Sequence, residues 1–229
     1  MGYLKDLLSL IYPEVCPVCG KSLFKNEKVV CMKCYHHLPR SRFTNDHENL
    51  AARVFWGRVP LQRVMAAFLY NKGNAVQQLI HGFKYRGYKE IGIFLGEELG
   101  KELSKIYDIH DIAYILPVPL HPKKQKKRGF NQSEIIARGI ANQFPAEVNT
   151  SILVRKSFSS TQTRKSKYDR WQNVESIFKL KNPETIKNKH ILIIDDVITT
   201  GATIEACVQC LLQAEGVKVS VGAVAYTRY

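Results

Sequence analysis

The residues best suited to chemistry lie in one run, Ile191-Leu192-Ile193-Ile194-Asp195-Asp196-Val197-Ile198-Thr199-Thr200-Gly201-Ala202-Thr203. Its successive branched side chains predict a strand buried on both faces. That strand should end at two adjacent carboxylates, after which a Thr-Thr-Gly-Ala-Thr turn opens a helix. Open α/β sheets bind ligands just beyond the carboxyl ends of their strands, so the run sits where a ligand is expected. Thr199, Thr200 and Thr203 supply hydroxyls, Gly201 lets the backbone approach closely, and the amides from Ala202 onward present the positive end of a helix. Together they make a cradle for a phosphomonoester. Asp195 and Asp196 would repel that phosphate unless they held something else. A pair of vicinal ribose hydroxyls fits them, with the 5-phosphate of the same sugar in the turn. The bland alternative is an acid pair followed by an ordinary helix cap at Thr203, and buried carboxylates without partners are costly.

Cys16, Cys19, Cys31 and Cys34 form a second constellation, two C-x-x-C pairs separated by eleven residues. Each pair can turn two thiolates toward one point, and two pairs complete the tetrahedral shell that zinc prefers. In a reducing compartment disulfides are the weaker reading. A four-thiolate shell leaves no open position, so the expected zinc is structural and supports a segment too small to own a core. His36 and His37 are expected to be exposed polar residues, and His81 a structural one. Cys207 and Cys210 are expected to be core thiols.

These groups need a scaffold. From about Leu61 the chain alternates predicted strands (64–70, 113–119, 190–194, 217–226) with predicted helices (74–85, 91–106, 132–144, 203–214). That order implies an α/β domain over 61–229, with a mostly parallel sheet covered on both faces. Residues 1–60 are expected to form a separate N-terminal module: a short amphipathic helix with Leu4, Leu7, Leu8 and Ile11 on one face, the cysteine site, and a hood. With 45% hydrophobic and 24% charged residues, the 229-residue chain is neither disordered, collagen-like nor membrane-embedded. No apolar stretch approaches the ~18 residues of a membrane span, and the start lacks a secretory leader, so a cytosolic protein is expected. The formal net charge is +14, and residues 121–170 hold 12 Lys or Arg against three acids. Polyanions are the expected partners. Part of that charge is the run His121 to Arg128, HPKKQKKR, placed beyond another strand end where it can face the same crevice as Asp195. Phe55, Trp56 and Tyr85 are more readily core than base-stacking residues.

The Ile191–Thr203 run is similar to the phosphoribosyl-pyrophosphate-binding signature of type I phosphoribosyltransferases. More narrowly, the four-cysteine start, Leu116-Pro117-Val118-Pro119-Leu120, Arg128-Gly129-Phe130-Asn131-Gln132, and Gln162 followed by Arg170, Asn173 and Phe178 resemble the ComF family of bacterial competence proteins. The resemblance spans nearly the whole chain. It implies a type I phosphoribosyltransferase fold, a bacterial cytosolic setting, a link to uptake of transforming DNA, and magnesium bound with phosphoribosyl pyrophosphate. It also implies that the loop after the second strand contacts the diphosphate. Arg128 is the best candidate there because its planar fork suits bidentate phosphate contacts, with Lys127 and Lys123, Lys124 or Lys126 nearby. Arg155 to Asn173 would be a flap that closes to exclude water, with Arg164, Lys165 and Arg170 as contacts. An enzyme of this kind would displace pyrophosphate from C1 of the ribose with a nitrogen nucleophile. The competing function is a non-catalytic accessory of DNA uptake that retains the sugar-phosphate pocket. It would bind single-stranded nucleic acid through Phe158, Tyr168 and Trp171 interleaved with Arg138, Arg155, Lys156, Arg164, Lys165, Lys167 and Arg170. A competence DNA translocase is a further expected partner.

Overall fold

The computed structural model describes residues 13–43, 49–107, 111–144, 146–156 and 177–227. The expected N-terminal helix and most of the expected flap, including Phe158, Gln162, Arg164, Lys165, Lys167, Tyr168, Arg170, Trp171 and Asn173, lie outside the described residues. Hydrophobic alternation dictates the centre of the molecule. Strands β1 (Val64–Tyr70), β2 (Tyr114–Pro117), β3 (Glu147–Val148), β6 (His190–Ile198) and β7 (Lys218–Thr227) form one sheet in the order β1-β7-β6-β2-β3. Every neighbour pair in it is parallel, as strands alternating with helices require. Two shorter strands, β4 (Leu153–Arg155) and β5 (Phe178–Leu180), pair antiparallel beside the sheet. They flank 157–176 in sequence, and the sequence reading contained neither of them.

Side chains alternate across β6 with period two. Leu192 and Ile194 join one buried cluster with Phe83, Leu95, Leu99 and Ile136. Ile191 and Ile193 join another with Leu116, Ile204, Cys207 and Val208. The first cluster carries helices α3 (Ala75–Arg86), α4 (Lys89–Leu103) and α6 (Gln132–Ala141). A Cβ on Gly96 would overlap the Ile136 carbonyl and one on Gly139 the Ile93 carbonyl, so α4 and α6 cross at backbone contact. The second cluster carries α7 (Ala202–Leu211), on which Cys207 and Cys210 are core thiols as expected.

The cysteine module packs into this core. Its Cys16, Val30, Cys31 and Leu38 belong to the same cluster as α3 and α4. Beyond its short helix α1 (Met32–His36), residues 39–41 run antiparallel along the free side of edge strand β1. There the Leu69 N–H donates to the Pro39 carbonyl at 2.8 Å and the Ser41 N–H to the Ala67 carbonyl at 3.0 Å. The junction centres on Glu98 of α4, which is 1% exposed. Its carboxylate accepts from Arg40 at 2.7 Å, Lys101 at 2.6 Å and the Tyr35 hydroxyl at 3.1 Å. Burial pushes its pKa up, but the Lys101 and Arg40 cations outweigh it and hold the carboxyl below the ordinary carboxylate range. No helix among the described residues is long and apolar enough to cross a membrane.

Candidate functional site

Strand β6 does not stop at the carboxylates. It pairs with β7 through Ile198↔Tyr226, so Asp195 and Asp196 lie inside the strand and Val197 and Ile198 separate them from the threonine turn. The hydrophobic run breaks at Asp195, but parallel backbone pairing does not depend on side-chain polarity, and the strand continues. Asp195 lines a cavity of about 80 Å³ with Val197, Thr199, Thr200, Gly201, Ala202, Thr203 and Ile204. All five expected cradle residues therefore share one concavity with one of the two acids. Gly201 caps α7 in the left-handed region at φ 71°. A Cβ there would stand 2.7 Å from Phe55 and 2.8 Å from Val54. Only glycine meets both conditions without distortion. The described turn and loop hydrogen bonds include none in which the Thr200 or Gly201 amide donates to the backbone, and both lie at the start of a ten-residue helix, whose N-terminal amides favour an anion.

The two carboxylates are held differently. Asp195 Oδ1 accepts from the Ser133 hydroxyl at 3.1 Å and from the Asp196 N–H at 2.8 Å. Burial, then the adjacent Asp196 charge, raises the Asp195 pKa to about 7 against the pull of those donors and of Lys84. Asp196 Oδ2 pairs with Lys84 Nζ of α3 at 2.7 Å. Sequence reasoning identified neither Ser133 nor Lys84. Ser133 is placed by Asn131, whose Oδ1 accepts from the Ser133 N–H at 3.1 Å and whose amide donates to the Val118 carbonyl beyond β2, also at 3.1 Å.

The basic run is a helix rather than a loop. In α5 (Pro122–Arg128) the His121 Nδ1 accepts from the Lys123 N–H at 3.1 Å, Pro122 opens the first turn, and Gly129 at φ 79° ends the last. The Arg128 guanidinium lies over the Tyr85 ring, 5.5 Å from the centroid. Lys123, Lys124, Lys126 and Lys127 are exposed. Tyr85 is 65% exposed and Trp56 is 55% exposed, so of the three aromatics expected in the core only Phe55 is there. His81, expected to be structural, is exposed, its ring 4.7 Å from that of Tyr85.

The four cysteine sulfurs lie within 4.8 Å of one another, with Cys19 and Cys31 Sγ 3.6 Å apart. That geometry can hold zinc. Burial pushes the Cys16 thiol up, but the backbone N–H groups of Cys31, Cys19 and Val18 outweigh it and bring it down to about 7. Burial and the other thiols raise Cys34. Four thiols at one point cannot all ionise without a cation. His36 and His37 point to solvent, as expected.

Residues 130–228 match the family model of the phosphoribosyl transferase domain. Two groups of relatives match almost the whole chain. Competence protein ComFC of Bacillus subtilis is 28% identical over 210 residues, 91% of this chain and 76% of the relative. DNA utilization protein YhgH of Escherichia coli K12 is 26% identical over 214 residues, 90% and 87%. The domain match and these relatives together support a ComF-family, phosphoribosyltransferase-type protein. Its sheet and helices form the type I phosphoribosyltransferase fold, with the four-cysteine cluster near the N-terminus. Among solved structures, a glutamine phosphoribosylpyrophosphate amidotransferase from B. subtilis is similar over 63% of this chain and 30% of that longer one, at 18% identity and a TM-score of 0.45.

Proposed function

We propose that this protein binds phosphoribosyl pyrophosphate with magnesium and transfers or recognises its 5-phosphoribosyl group in the setting of DNA uptake. The observation that supports the reading best is the shared concavity of Asp195 and Thr199–Thr203 at the end of a buried strand. The 5-phosphate would sit among the threonine hydroxyls and the helix-start amides. Asp195 and Asp196 would accept hydrogen bonds from the ribose hydroxyls, Asp195 in its ionised form. In the transfer reaction the bond from C1 to the diphosphate oxygen breaks as a nitrogen nucleophile bonds C1, and pyrophosphate leaves with the electron pair. Two adjacent strand carboxylates beside substrate oxygens suit a hard divalent ion, and magnesium, when bound, offsets the charge of the leaving diphosphate. Residues 1–60 would supply the zinc module and a hood for the acceptor, and 61–229 the phosphoribosyltransferase-like domain. The relatives' names, a competence protein and a DNA utilization protein, support the link to DNA uptake; a cytoplasmic setting and a DNA translocase as partner are part of the proposal.

Isothermal titration of zinc-loaded protein with phosphoribosyl pyrophosphate and magnesium tests this. A saturable heat at micromolar ligand is expected, and its absence sinks the reading. A second reading, single-stranded nucleic-acid binding, is favoured by exposed Tyr85 between His81 and Arg128 beside the basic helix α5. A salt series separates the two, because phosphate-tracking affinity falls steeply with ionic strength.

A further inference from the structure

The segment between the cysteine module and β1 reaches the phosphate turn. Asn49 anchors it: its side chain donates to the Val64 carbonyl at 2.9 Å and accepts from the Ala52 N–H at 3.0 Å at the start of α2 (Leu50–Arg53). Beyond α2, Phe55 and Val54 press on Gly201. Arg58 completes the contact. One guanidinium nitrogen donates to the Val54 carbonyl at 2.9 Å and to the Thr200 carbonyl at 2.8 Å, and the other pairs with Glu205 in the first turn of α7.

The bond to Thr200 has a geometric consequence. Among the described residues no peptide bond is cis, and in a trans peptide the carbonyl and the following N–H point in opposite directions. A Thr200 carbonyl fixed toward Arg58 therefore turns the Gly201 N–H away from Arg58, which is not among the residues lining the cavity of Thr199–Ile204. We propose that Arg58 is a positioning residue for the phosphate cradle, setting the Thr200–Gly201 peptide plane so that the Gly201 N–H is presented to the anion. The proposal rests on the sugar-phosphate reading of the turn. A stabilising role explains the contact less well, because the Arg58 side chain is 35% exposed and the Glu205 side chain 22%, and solvent-screened pairs contribute little to global stability.

The test compares wild type, Arg58→Gln and Glu205→Gln, each zinc-loaded, in two measurements. In the first, hydrogen exchange without ligand, the residue 205 amide, which donates to the Gly201 carbonyl at 2.9 Å, exchanges faster in Arg58→Gln than in wild type, while in Glu205→Gln, which keeps the bond from Arg58 to the Thr200 carbonyl, it stays close to wild type. In the second, titration, ribose 5-phosphate binds Arg58→Gln roughly tenfold more weakly, the loss expected when one charge-assisted hydrogen bond no longer orders its group. Pyrophosphate affinity and Tm stay near wild type. Unchanged exchange in Arg58→Gln overturns the proposal, as does an equal effect of Glu205→Gln, which would assign the role to the ion pair. A wild type that binds neither ribose 5-phosphate nor phosphoribosyl pyrophosphate sinks the parent reading, and the exchange comparison still decides what Arg58 does to the turn.

Discussion

Replacing Gly201 by alanine should damage the cradle and the fold together, by an amount that can be worked from two independent terms. The residue sits at φ 71°, where an L side chain costs about 1–2 kcal/mol. Its new methyl would also lie 2.7 Å from the ring of Phe55, a side chain 2% exposed that has nowhere to move. Overpacking of that kind costs about 1–3 kcal/mol. The sum, about 2–5 kcal/mol, corresponds to a fall in Tm on the order of 10 °C for a chain of this size. The double variant with Phe55→Leu separates the terms. Removing ring atoms relieves the overlap but not the backbone strain, so a favourable coupling of about 1–2 kcal/mol is expected in denaturant melts. Ribose 5-phosphate affinity should fall in Gly201→Ala and return only in part in the double variant. A Gly201→Ala protein with wild-type Tm would refute the close approach, and additivity with Phe55→Leu would refute Phe55 as its cause.

Purified protein should carry about one zinc per chain by metal analysis, and Cys31→Ser should lose it together with several degrees of Tm, since the shell needs all four thiolates. Glu98→Ala leaves Arg40 and Lys101 facing a buried gap and should destabilise by roughly 2–4 kcal/mol in urea melts. Because the folded Glu98 pKa lies below its ordinary 4.5, its contribution is present above about that pH and is lost as pH falls through the folded value. Glu98→Gln should flatten that acid limb. Asp195 has the opposite sign: folded it titrates near 7, against an ordinary 3.8. The folded state therefore binds more protons between those values, and this group's contribution to stability declines as pH rises through the window. Asp195→Asn should remove that decline, and an unchanged pH profile would refute the burial argument.

How much was legible in the sequence varied with the range of the interaction. Strand β1 was read at its observed limits, because apolar composition and flanking polar residues act within a few positions. The end of β6 was misplaced since the side-chain pattern breaks at Asp195 while the backbone pairing to β7 runs on to Ile198. The basic run was read as a loop from the family resemblance. His121-Pro122 ahead of Lys, Gln and Arg was the available signal for a capped helix of good helix formers. Ser133, Lys84 and Arg58 went unread because each acts on a partner far along the chain, and no local pattern marks such a pair.

The amino-acid order alone determined the kinds of chemistry present: thiols at zinc spacing, a buried strand bearing two acids, and a threonine-glycine turn opening a helix. Those are short-range facts, fixed by covalent spacing and backbone preference. Only the tertiary structure decided which acid faces the cavity, which cation neutralises the other, and that residues 49–58 lean on the turn. These outcomes depend on how the sheet order β1-β7-β6-β2-β3 brings α2, α3 and α6 around one strand end, and packing across such distances is set by the whole chain at once.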